Sequence, residues 1–458
     1  MTDRRRVRHR AGPGQPHAAY LADRPAVAVI GGGIAGLSAA TALADRGVAV
    51  HLFEREHYLG GRVGGWTETT PDGSRLAMNR GFHAFFRQYY NLRNVLRRVD
   101  PELSMFTPLD DYPLVDGQGR RDTFRGLPGT PPLNAMAFAL RSPTFRLRDL
   151  IRLDARAAAP LASVSVPETY WQLDDSDAET FLRDINFPTA AQHLAFEVFS
   201  RSFFTRPDGL SAAELATMFH IYFLGSSEGL VFDVAAENFD VALWKPLERY
   251  LLRHGADIRT GVAATNITTD DAGRFLVTGE TFDALRVDGV VLATEVPALQ
   301  RIVSGSPGLG DAQWRSAVAD LGTAAPVLVR RLWLDRQVRS ERPAFLGTGG
   351  LPPLDNISVL ERYERDAQAW ARRRRAFRCC SPRVSSRGSV SSSATKPAPV
   401  TPKRVTRDRR PSRSTAIQRR SIPAIPADGR TPPMTTSPSA SMSVGAASRS
   451  ARGYGSAQ

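Results

Sequence analysis

The stretch VAVIGGGIAGLSAATALADRGVAVHLFEREHYLGGR, residues 27–62, decides the fold of this chain. Its first apolar run ends in glycines and is followed by an Ala- and Leu-rich segment, which predicts a buried parallel strand leading into a helix. A second apolar run, residues 48–53, predicts another strand, so the stretch opens a strand–helix–strand unit. Gly31, Gly33 and Gly36 stand at the first turn in the spacing G-x-G-x-x-G. Between a strand and a helix, this spacing indicates a dinucleotide site, because glycines allow the tight turn, the approach of backbone to a pyrophosphate and close helix packing.

An acidic residue and a second pair of glycines extend this motif. Glu54 closes the second strand, where its carboxylate can accept hydrogen bonds from a ribose diol and would repel a 2′-phosphate. The sequence LGGR, residues 59–62, then places Gly60, Gly61 and the cation of Arg62 directly after the ribose acid. A second close approach to the pyrophosphate fits a dinucleotide that lies deep in one domain, as FAD does. The extended motif therefore predicts a Rossmann-like domain that binds FAD rather than NADP or NAD.

The distribution of charge argues against a nucleic-acid partner. The formal net charge is +14 over 458 residues, yet residues 371–458 hold 19 Lys and Arg against two acidic residues. Residues 1–24 add a net charge of +4, which leaves residues 25–370 mildly acidic at −7. A nucleic-acid-binding protein usually carries a basic stripe on its folded surface, whereas the basic residues here lie at the two ends. Both cysteines lie in the tail, so the body offers no disulfide framework, thiolate metal site or catalytic thiol, and we expect no metal.

The order of the predicted strands and helices predicts an α/β fold in which a mixed helical and β substrate domain interrupts the FAD-binding domain. Ten of the 22 Phe lie between Phe181 and Phe239, which indicates either a helical core or the wall of a large apolar pocket. Residues 327–334, VLVRRLWL, predict a further strand. The predicted segments are a disordered basic arm (1–24), the first part of the FAD-binding domain (25–90), a helical and apolar substrate domain (91–245), the second part of the FAD-binding domain (246–300), a continuation of the substrate domain (301–370) and a disordered basic tail (371–458).

The extended glycine motif resembles that of the flavin-containing amine oxidase and phytoene desaturase superfamily. In that superfamily the glycine doublet and its arginine contact the diphosphate and flavin side of FAD. Residues 255–267, GADIRTGVAATNI, resemble the strand whose backbone reads the adenine, and residues 290–298, VVLATEVPA, resemble the strand and turn that close the nucleotide domain. The resemblance implies that the FAD contacts include Gly31, Gly33, Ala35, Gly36, Glu54, Arg55, Gly60, Gly61, Arg62, Gly81, Ala264 and Ala293.

Three further stretches resemble carotenoid φ-ring synthases of the isorenieratene synthase type. They are NRGFHAFFRQYYNLRNVL (79–96), MFHIYFLGSSEGLVFD (218–233) and LWKPLERYL (243–251), and LGGRVGGW (59–66) agrees with them. The resemblance implies an FAD-dependent oxidoreductase that aromatises the β-ionone ring of β-carotene and moves one geminal methyl group to the neighbouring ring carbon, toward isorenieratene. Two alternatives stay open. One is another FAD-dependent carotene desaturase or isomerase of the same fold, and the other is an inactive chain that binds a carotenoid.

This chemistry suggests which residues could act at the site. Methyl migration is typical of a carbocation, which favours an apolar site that excludes water and a nearby base that takes up a proton. Glu228 and Asp233 are candidates for that base, although the residue type favours an ordinary helix cap or surface acid at each position. His83 could lie beside the flavin or be a core histidine with its hydrogen bonds satisfied.

The substrate implies a membrane surface as a partner, since β-carotene is a hydrocarbon. No apolar run approaches the roughly 18 residues that a membrane span needs. We therefore expect a cytoplasmic protein that associates peripherally with the inner face of the cell membrane. The basic arm, residues 1–24, could bind anionic headgroups.

The tail differs in composition from everything before it. Residues 371–458 contain 17 Ser but no Leu and no Glu, so we expect the segment to be disordered. The sequence that resembles the family stops at about Arg373. The residues after it are rich in Arg, Ser, Pro and Ala, a composition that a high-GC coding region tends to give when it is read in a wrong frame. Our hypothesis is a frameshift near codon 373, and a natural basic tail is the alternative. In the superfamily a final strand and helix return to the nucleotide domain, so without them we expect weak FAD retention and low stability.

Overall fold

The computed structural model describes residues 14–69, 73, 75–189, 191, 205–226, 228–230, 232–324, 327–334, 336–351 and 354–380. The strands among them are β1 Ala26–Ile30, β2 Ala49–Glu54, β3 Gly65–Thr69, β4 Arg75–Asn79, β5 Phe85–Phe86, β6 Phe106–Pro108, β7 Leu114–Asp116, β8 Arg121–Asp122, β9 Phe232–Ala235, β10 Asp257–Thr260, β11 Ala264–Thr269, β12 Phe275–Gly279, β13 Phe282–Val287, β14 Gly289–Leu292, β15 Phe345–Gly349 and β16 Asn356–Ser358. The α-helices are α1 Ile34–Ala44, α2 Tyr90–Leu96, α3 Leu133–Arg141, α4 Leu147–Ile151, α5 Ala159–Ala162, α6 Glu168–Leu173, α7 Ala178–Asp184, α8 Ala212–Phe219, α9 Lys245–Arg253, α10 Val296–Gly305, α11 Ala312–Ala319 and α12 Arg365–Cys380.

A parallel sheet in the order β10-β2-β1-β14 forms the centre of the nucleotide-binding part. β1 pairs with β2 on one side and with β14 on the other, and its residues Ala28 and Val29 are fully buried. A strand paired on both sides and covered on both faces needs small or β-branched apolar residues, which the sequence AVAVI provides. The predicted strand–helix–strand opening is confirmed as β1, α1 and β2.

A second, antiparallel sheet, β11-β12-β13, follows the parallel strands. It packs on the parallel sheet through apolar contacts, among them the ring of Phe282, which stacks on Phe53 with centroids 4.6 Å apart. This arrangement returns the chain to β14 beside β1, so that residues far apart in sequence end at the same edge.

The middle of the chain combines helices with short strands. Helices α3 and α5 to α8 pack around a Phe-rich core, and the strands form the sheets β16-β15-β7-β8 and β5-β9-β6. Phe181, Phe187, Phe223 and Phe232 are buried in that core, whereas the Phe at positions 196, 199, 203 and 204 lie outside the described residues. The predicted helical and apolar segment therefore also contains strands, which local periodicity did not indicate.

Two predictions made from composition are wrong in part. Residues 327–334 form no strand, and Leu328 is 93% exposed, because an apolar β-branched run becomes a strand only where another strand pairs with it. Helix α12 continues to Cys380, so the segment that was predicted to be disordered from residue 371 begins within a helix. The predictions for residues 1–13 and 381–458 lie outside the described residues.

Candidate active site

The turn after β1 is built from glycines because backbone atoms surround it closely. Gly31 has a φ of +107°, and a β-carbon there would lie 2.4 Å from the carbonyl oxygen of Ala293, which follows β14. A β-carbon at Gly36 would lie 1.8 Å from the carbonyl oxygen of Gly31. Helix α1 can therefore approach β1 this closely only because position 36 has no side chain.

The N-terminus of α1 opens onto this turn. Its N-cap is Gly33, which provides no side chain to the first-turn amides, and no acidic residue lies in that turn. By helix geometry the amides of Ile34, Ala35 and Gly36 have no carbonyl partner within the helix. Free N–H groups and the positive end of the helix dipole attract a phosphate group. Gly33 and Ala35 therefore lie where a pyrophosphate would be held.

The carboxylate of Glu54 is fixed at the end of β2. Its Oε2 accepts a hydrogen bond from the amide of Gly32 at 2.6 Å, and its Oε1 accepts one from the amide of Glu56 at 2.9 Å. Each oxygen keeps a further lone pair with which it can accept from a ribose hydroxyl. The amide of Val262 donates to the main-chain oxygen of Glu54 at 2.9 Å, so Val262 borders this acid. The predicted contact Ala264 begins β11 in the antiparallel sheet instead.

The glycine doublet folds back onto the first glycine turn. Gly60 has a φ of +100°, and its amide donates to the carbonyl oxygen of Gly32 at 2.8 Å. The buried indole of Trp244 fills the space that a β-carbon of Gly60 would need, and its Nε1 donates to the carbonyl oxygen of Val63 at 2.6 Å. Sequence reasoning missed Trp244, since 181 residues separate it from Val63 and no local pattern joins them.

Arg55 and Arg62 were both predicted to contact the cofactor, and the structure places the two side chains in different surroundings. Arg62 follows the doublet with an exposed side chain and lines a large cavity. The guanidinium of Arg55 instead lies 3.1 Å from a carboxylate oxygen of Glu56 and 3.4 Å from one of Glu295. The glycine turns, the helix N-terminus, the ribose acid and the cation of Arg62 together fit a dinucleotide.

A cavity of about 2840 Å³ begins beside the residues that follow these glycine turns and extends into the substrate region. Ile34 and Arg62 line it at the nucleotide end, together with Gly81 on the loop after β4. Further along, aromatic rings form much of the wall. These are Phe82, Phe86, Tyr89, Tyr112, Tyr222, Phe232 and Phe345.

The aromatic wall is held by contacts between its own rings. Phe82 packs on Phe345 with centroids 4.4 Å apart, and Tyr112 packs on Phe232 at 4.6 Å. Such a wall excludes water, and ring faces can stabilise a positive charge that develops nearby. Of the two interpretations of the Phe-rich segment, helical core and pocket wall, the structure supports both, because Phe232 is a core residue that also borders the cavity.

His83 is the one of the three candidate proton-handling residues that lines the cavity. Its Nε2 lies 3.0 Å from the carbonyl oxygen of Arg62, so that nitrogen carries the proton and donates it. Burial lowers the pKa of His83 below its ordinary value, although hydrogen bonds to backbone carbonyls oppose the shift. The imidazole is therefore kept neutral beside the predicted flavin side of the site.

The two predicted acids lie away from the cavity. Asp233 is buried in β9, where its Oδ2 lies 2.6 Å from Nη2 of Arg93 and its Oδ1 lies 3.3 Å from Nη2 of Arg87. Neither Asp233 nor Glu228 borders the cavity. Asp233 therefore acts as the centre of a buried ion-pair group that joins α2 to β9.

An acid that sequence reasoning missed does line the cavity. Glu364, just before α12, accepts a hydrogen bond from Nδ2 of Asn79 at 2.8 Å, and its Oε2 lies 2.7 Å from Nη2 of Arg331. Burial raises the pKa of Glu364, although the cation of Arg331 opposes the shift. The guanidinium of Arg331 in turn lies 4.6 Å from the ring centroid of Trp333. Because 285 residues separate Glu364 from Asn79, no local motif points to it.

The described residues contain neither a membrane-spanning helix nor a cluster of metal ligands. In those residues no helix is long and apolar enough to cross a bilayer. The same part of the chain contains no group of three or more His, Cys, Asp or Glu side chains that could hold a metal ion.

A family model described as flavin containing amine oxidoreductase matches residues 34–378. The chain therefore belongs to this family of flavoproteins, and its cofactor is a flavin. Among curated proteins it is 58% identical over 358 residues to a carotenoid phi-ring synthase of Streptomyces griseus, covering 78% of this chain and 69% of that protein. It is 31% identical over 310 residues to a carotenoid phi-ring synthase of Chlorobaculum tepidum, covering 66% of this chain and 45% of that protein.

The chain is also similar to a more distant relative and to a solved structure. A zeta-carotene desaturase of Synechocystis is 27% identical over 294 residues, covering 60% of this chain and 59% of the relative. The solved cyclohexylamine oxidase of Brevibacterium oxydans is 18% identical, with a TM-score of 0.49 over 78% of this chain and 80% of that structure.

Proposed function

We propose that this chain is an FAD-dependent enzyme that aromatises the β-ionone ring of β-carotene, with migration of one geminal methyl group, toward isorenieratene. The observation that carries the proposal is the continuous cavity that runs from Ile34 and Arg62, which directly follow the glycine turns in sequence, to the aromatic wall. Ligand pockets usually measure about 300–1,000 Å³, so this cavity has room for the flavin end of a cofactor and a long hydrocarbon together. The 58% identity to a protein named carotenoid phi-ring synthase supports the same substrate class.

The flavin is proposed to be FAD because the nucleotide end of the site is built for a dinucleotide. Gly33 opens the N-terminus of α1 toward a pyrophosphate, and the carboxylate of Glu54 is placed to accept from a ribose diol. A flavin mononucleotide would leave that carboxylate without a ligand. FAD would supply the two-electron acceptor for desaturation, which no side chain of the chain can provide.

The remaining chemistry falls to residues of the cavity wall. The aromatic wall would exclude water from a reacting ring and stabilise positive charge on it while a methyl group migrates. Aromatisation also releases protons, and Glu364 and His83 are the proposed acceptors because both line the cavity. Burial raises the pKa of the Glu364 carboxyl, which makes its carboxylate a stronger base than an ordinary surface acid.

The proposal is tested with the full chain. The bound cofactor is released by denaturation and identified, and β-carotene and lycopene are offered separately in detergent micelles with FAD added, followed by chromatography of the pigments. We expect FAD in the protein and an aromatic ring product from β-carotene. Release of a mononucleotide alone would refute the assignment of FAD, and conversion of lycopene alone would establish an acyclic desaturase or isomerase. Carotenoid retained unchanged with FAD bound would establish a binding protein.

Glu364→Gln tests the proposed proton acceptor. We expect this variant to convert β-carotene about 100-fold more slowly, within the range lost when a general base is removed. Glu179→Gln, on the exposed side of α7 and away from the cavity, is the matched control and should keep the activity of the unaltered chain. Equal rates for both variants would show that Glu364 takes no part in proton transfer.

We also propose that the protein works at the cytoplasmic face of the cell membrane, because its proposed substrate dissolves in lipid. The basic residues of the arm, 1–24, would favour anionic headgroups. Fractionation of cells into membrane and soluble parts tests this proposal, and recovery of all the protein in the soluble part would contradict it.

A further inference from the structure

The outer surface of helix α3 is apolar, which is the reverse of an ordinary surface helix. Phe138 and Asn134 face the interior, as expected. The side chains of Leu133, Met136 and Leu140 are 54%, 55% and 69% exposed, and their spacing of three and four residues puts them on one face. A helix that is apolar on its outer side as well has a partner other than water.

Three more exposed apolar residues come from the segments that follow α3. Ile151 at the end of α4 is 77% exposed, Val166 before α6 is 68% exposed, and Trp171 within α6 is 72% exposed. Indole rings are favoured at the boundary between lipid and water, because they combine a large apolar body with one polar N–H group. We name the six residues Leu133, Met136, Leu140, Ile151, Val166 and Trp171 the apolar face.

The charge beside the apolar face differs in sign from that of the body. Residues 133–156 contain five arginines and two aspartates, a net charge of +3, whereas residues 25–370 together carry −7. The side chains of Arg146, Arg148 and Arg152 are exposed. Arginines next to exposed apolar side chains complement an anionic lipid surface, to which each basic residue near the headgroups adds attraction.

One residue of the apolar face, Val166, borders the cavity. Val166 is exposed and also lines the cavity, and Thr144, in the loop between α3 and α4, lines the same cavity. A lipid surface in contact with this face would therefore meet the cavity directly, so that a hydrocarbon could enter without crossing water. This continuity selects a bilayer over another protein as the partner.

We propose that the apolar face and its arginines dock the protein onto a bilayer containing anionic lipid, with the cavity opening onto the lipid. The proposal rests on the proposed function for the reason to approach a membrane, and it concerns a surface outside the reaction site. It adds a surface in the body of the chain to the basic arm, which we expected to bind anionic headgroups.

The test is flotation of the full chain with phosphatidylcholine vesicles, with and without phosphatidylglycerol. The triple variant L133S/M136S/L140S should lower partitioning onto the anionic vesicles about tenfold or more, since it removes three side chains from lipid. The matched control is L21S/V241S/L252S, which removes three exposed apolar residues elsewhere and should partition as the unaltered chain does. The variant R146Q/R148Q/R152Q should lose binding only to anionic vesicles, and raised salt should reproduce that loss.

Other outcomes overturn the proposal. If neutralising Arg4, Arg5, Arg6, Arg8 and Arg10 abolishes flotation while the triple variant floats normally, the arm is the anchor. If sedimentation shows a dimer that the triple variant dissociates, and vesicles bind neither form, the face is an interface between two copies. Conversion of β-carotene from detergent micelles without any vesicle binding would overturn the docking surface and leave the proposed function standing. Vesicle binding without conversion of β-carotene would support the docking surface and contradict the proposed function.

Discussion

Replacing Gly36 by Ala tests the packing on which the proposed cofactor site depends. Position 36 lies in the first turn of α1, where helix propensity alone would make alanine more stable than glycine by about 1 kcal/mol. Sterics act in the opposite direction, because the new β-carbon would lie 1.8 Å from the carbonyl oxygen of Gly31. Real β-carbon contacts are essentially never under 3.0 Å, so α1 must move away from β1.

The steric effect should exceed the propensity effect. Overpacking of a well-packed interior costs about 1–3 kcal/mol, and here the obstructing atom belongs to the backbone at the end of the central strand. Since the obstructing atom is backbone, we expect the upper end of that range, which after the gain in helix propensity leaves a net loss of about 2 kcal/mol in the free energy of unfolding. The same shift moves the first-turn amides away from the pyrophosphate, and losing 1.4 kcal/mol there weakens flavin binding about tenfold.

The measurement is urea unfolding of the purified variant together with its flavin content by absorbance. Gly308→Ala is the control, since a β-carbon at that exposed position would meet nothing within 4 Å. A Gly36→Ala protein that unfolds at the same urea concentration as the unaltered chain and keeps its flavin would refute the reasoning.

Two further predictions follow from the buried charged groups. Asp233→Asn should lower the free energy of unfolding by about 3–5 kcal/mol, because it leaves the guanidinium of Arg93 buried without its charged partner. A urea titration measures this loss, and a change below about 1 kcal/mol would contradict the prediction. His83 has a lowered pKa in the folded state, so the unfolded chain binds the proton first as the pH falls. The stability that neutral His83 contributes is therefore present above about pH 6.5 and is lost as the pH falls from there toward the folded-state pKa. Unfolding midpoints from pH 7.5 to 5 should drop less for His83→Gln than for the unaltered chain, and parallel curves would contradict the assignment.

The nucleotide end of the site could be predicted from sequence because its determinants are local. Gly31, Gly33 and Gly36 lie within six positions. Gly31 adopts a positive φ in the turn, and Gly36 is required by the approach of the Gly31 carbonyl oxygen within the same strand–turn–helix unit. Glu54 could be predicted in the same way, since parallel strands end at one edge of the sheet. Local spacing thus fixes the geometry that the motif implies.

The reactive end of the site could not be predicted in this way. Glu364 meets Asn79 across 285 residues, and Asp233 meets Arg93 across 140, so that neither partnership leaves a local pattern. The sequence therefore predicted Glu228 and Asp233 as candidate bases, whereas in the structure the carboxylate of Asp233 pairs with two arginines. The prediction of a strand at residues 327–334 was wrong for a related reason, because strand formation depends on a partner edge elsewhere in the chain.

Two exposed segments among the described residues, the edge strand β14 and residues 327–334, show where a low free energy of unfolding would arise. Each of the four residues of β14 is only partly buried, whereas three of the five residues of β1, which is paired on both sides, are fully covered. The apolar side chains of residues 327–334 are likewise open to solvent, although Arg331 in the same stretch is held by Glu364 at the cavity wall. Both features lie outside the glycine turns, whose atoms are in close contact. Weak flavin retention, if it is measured for this chain, would therefore point to these exposed segments, since the glycine turns and the Glu54 carboxylate already have the geometry that holds a dinucleotide.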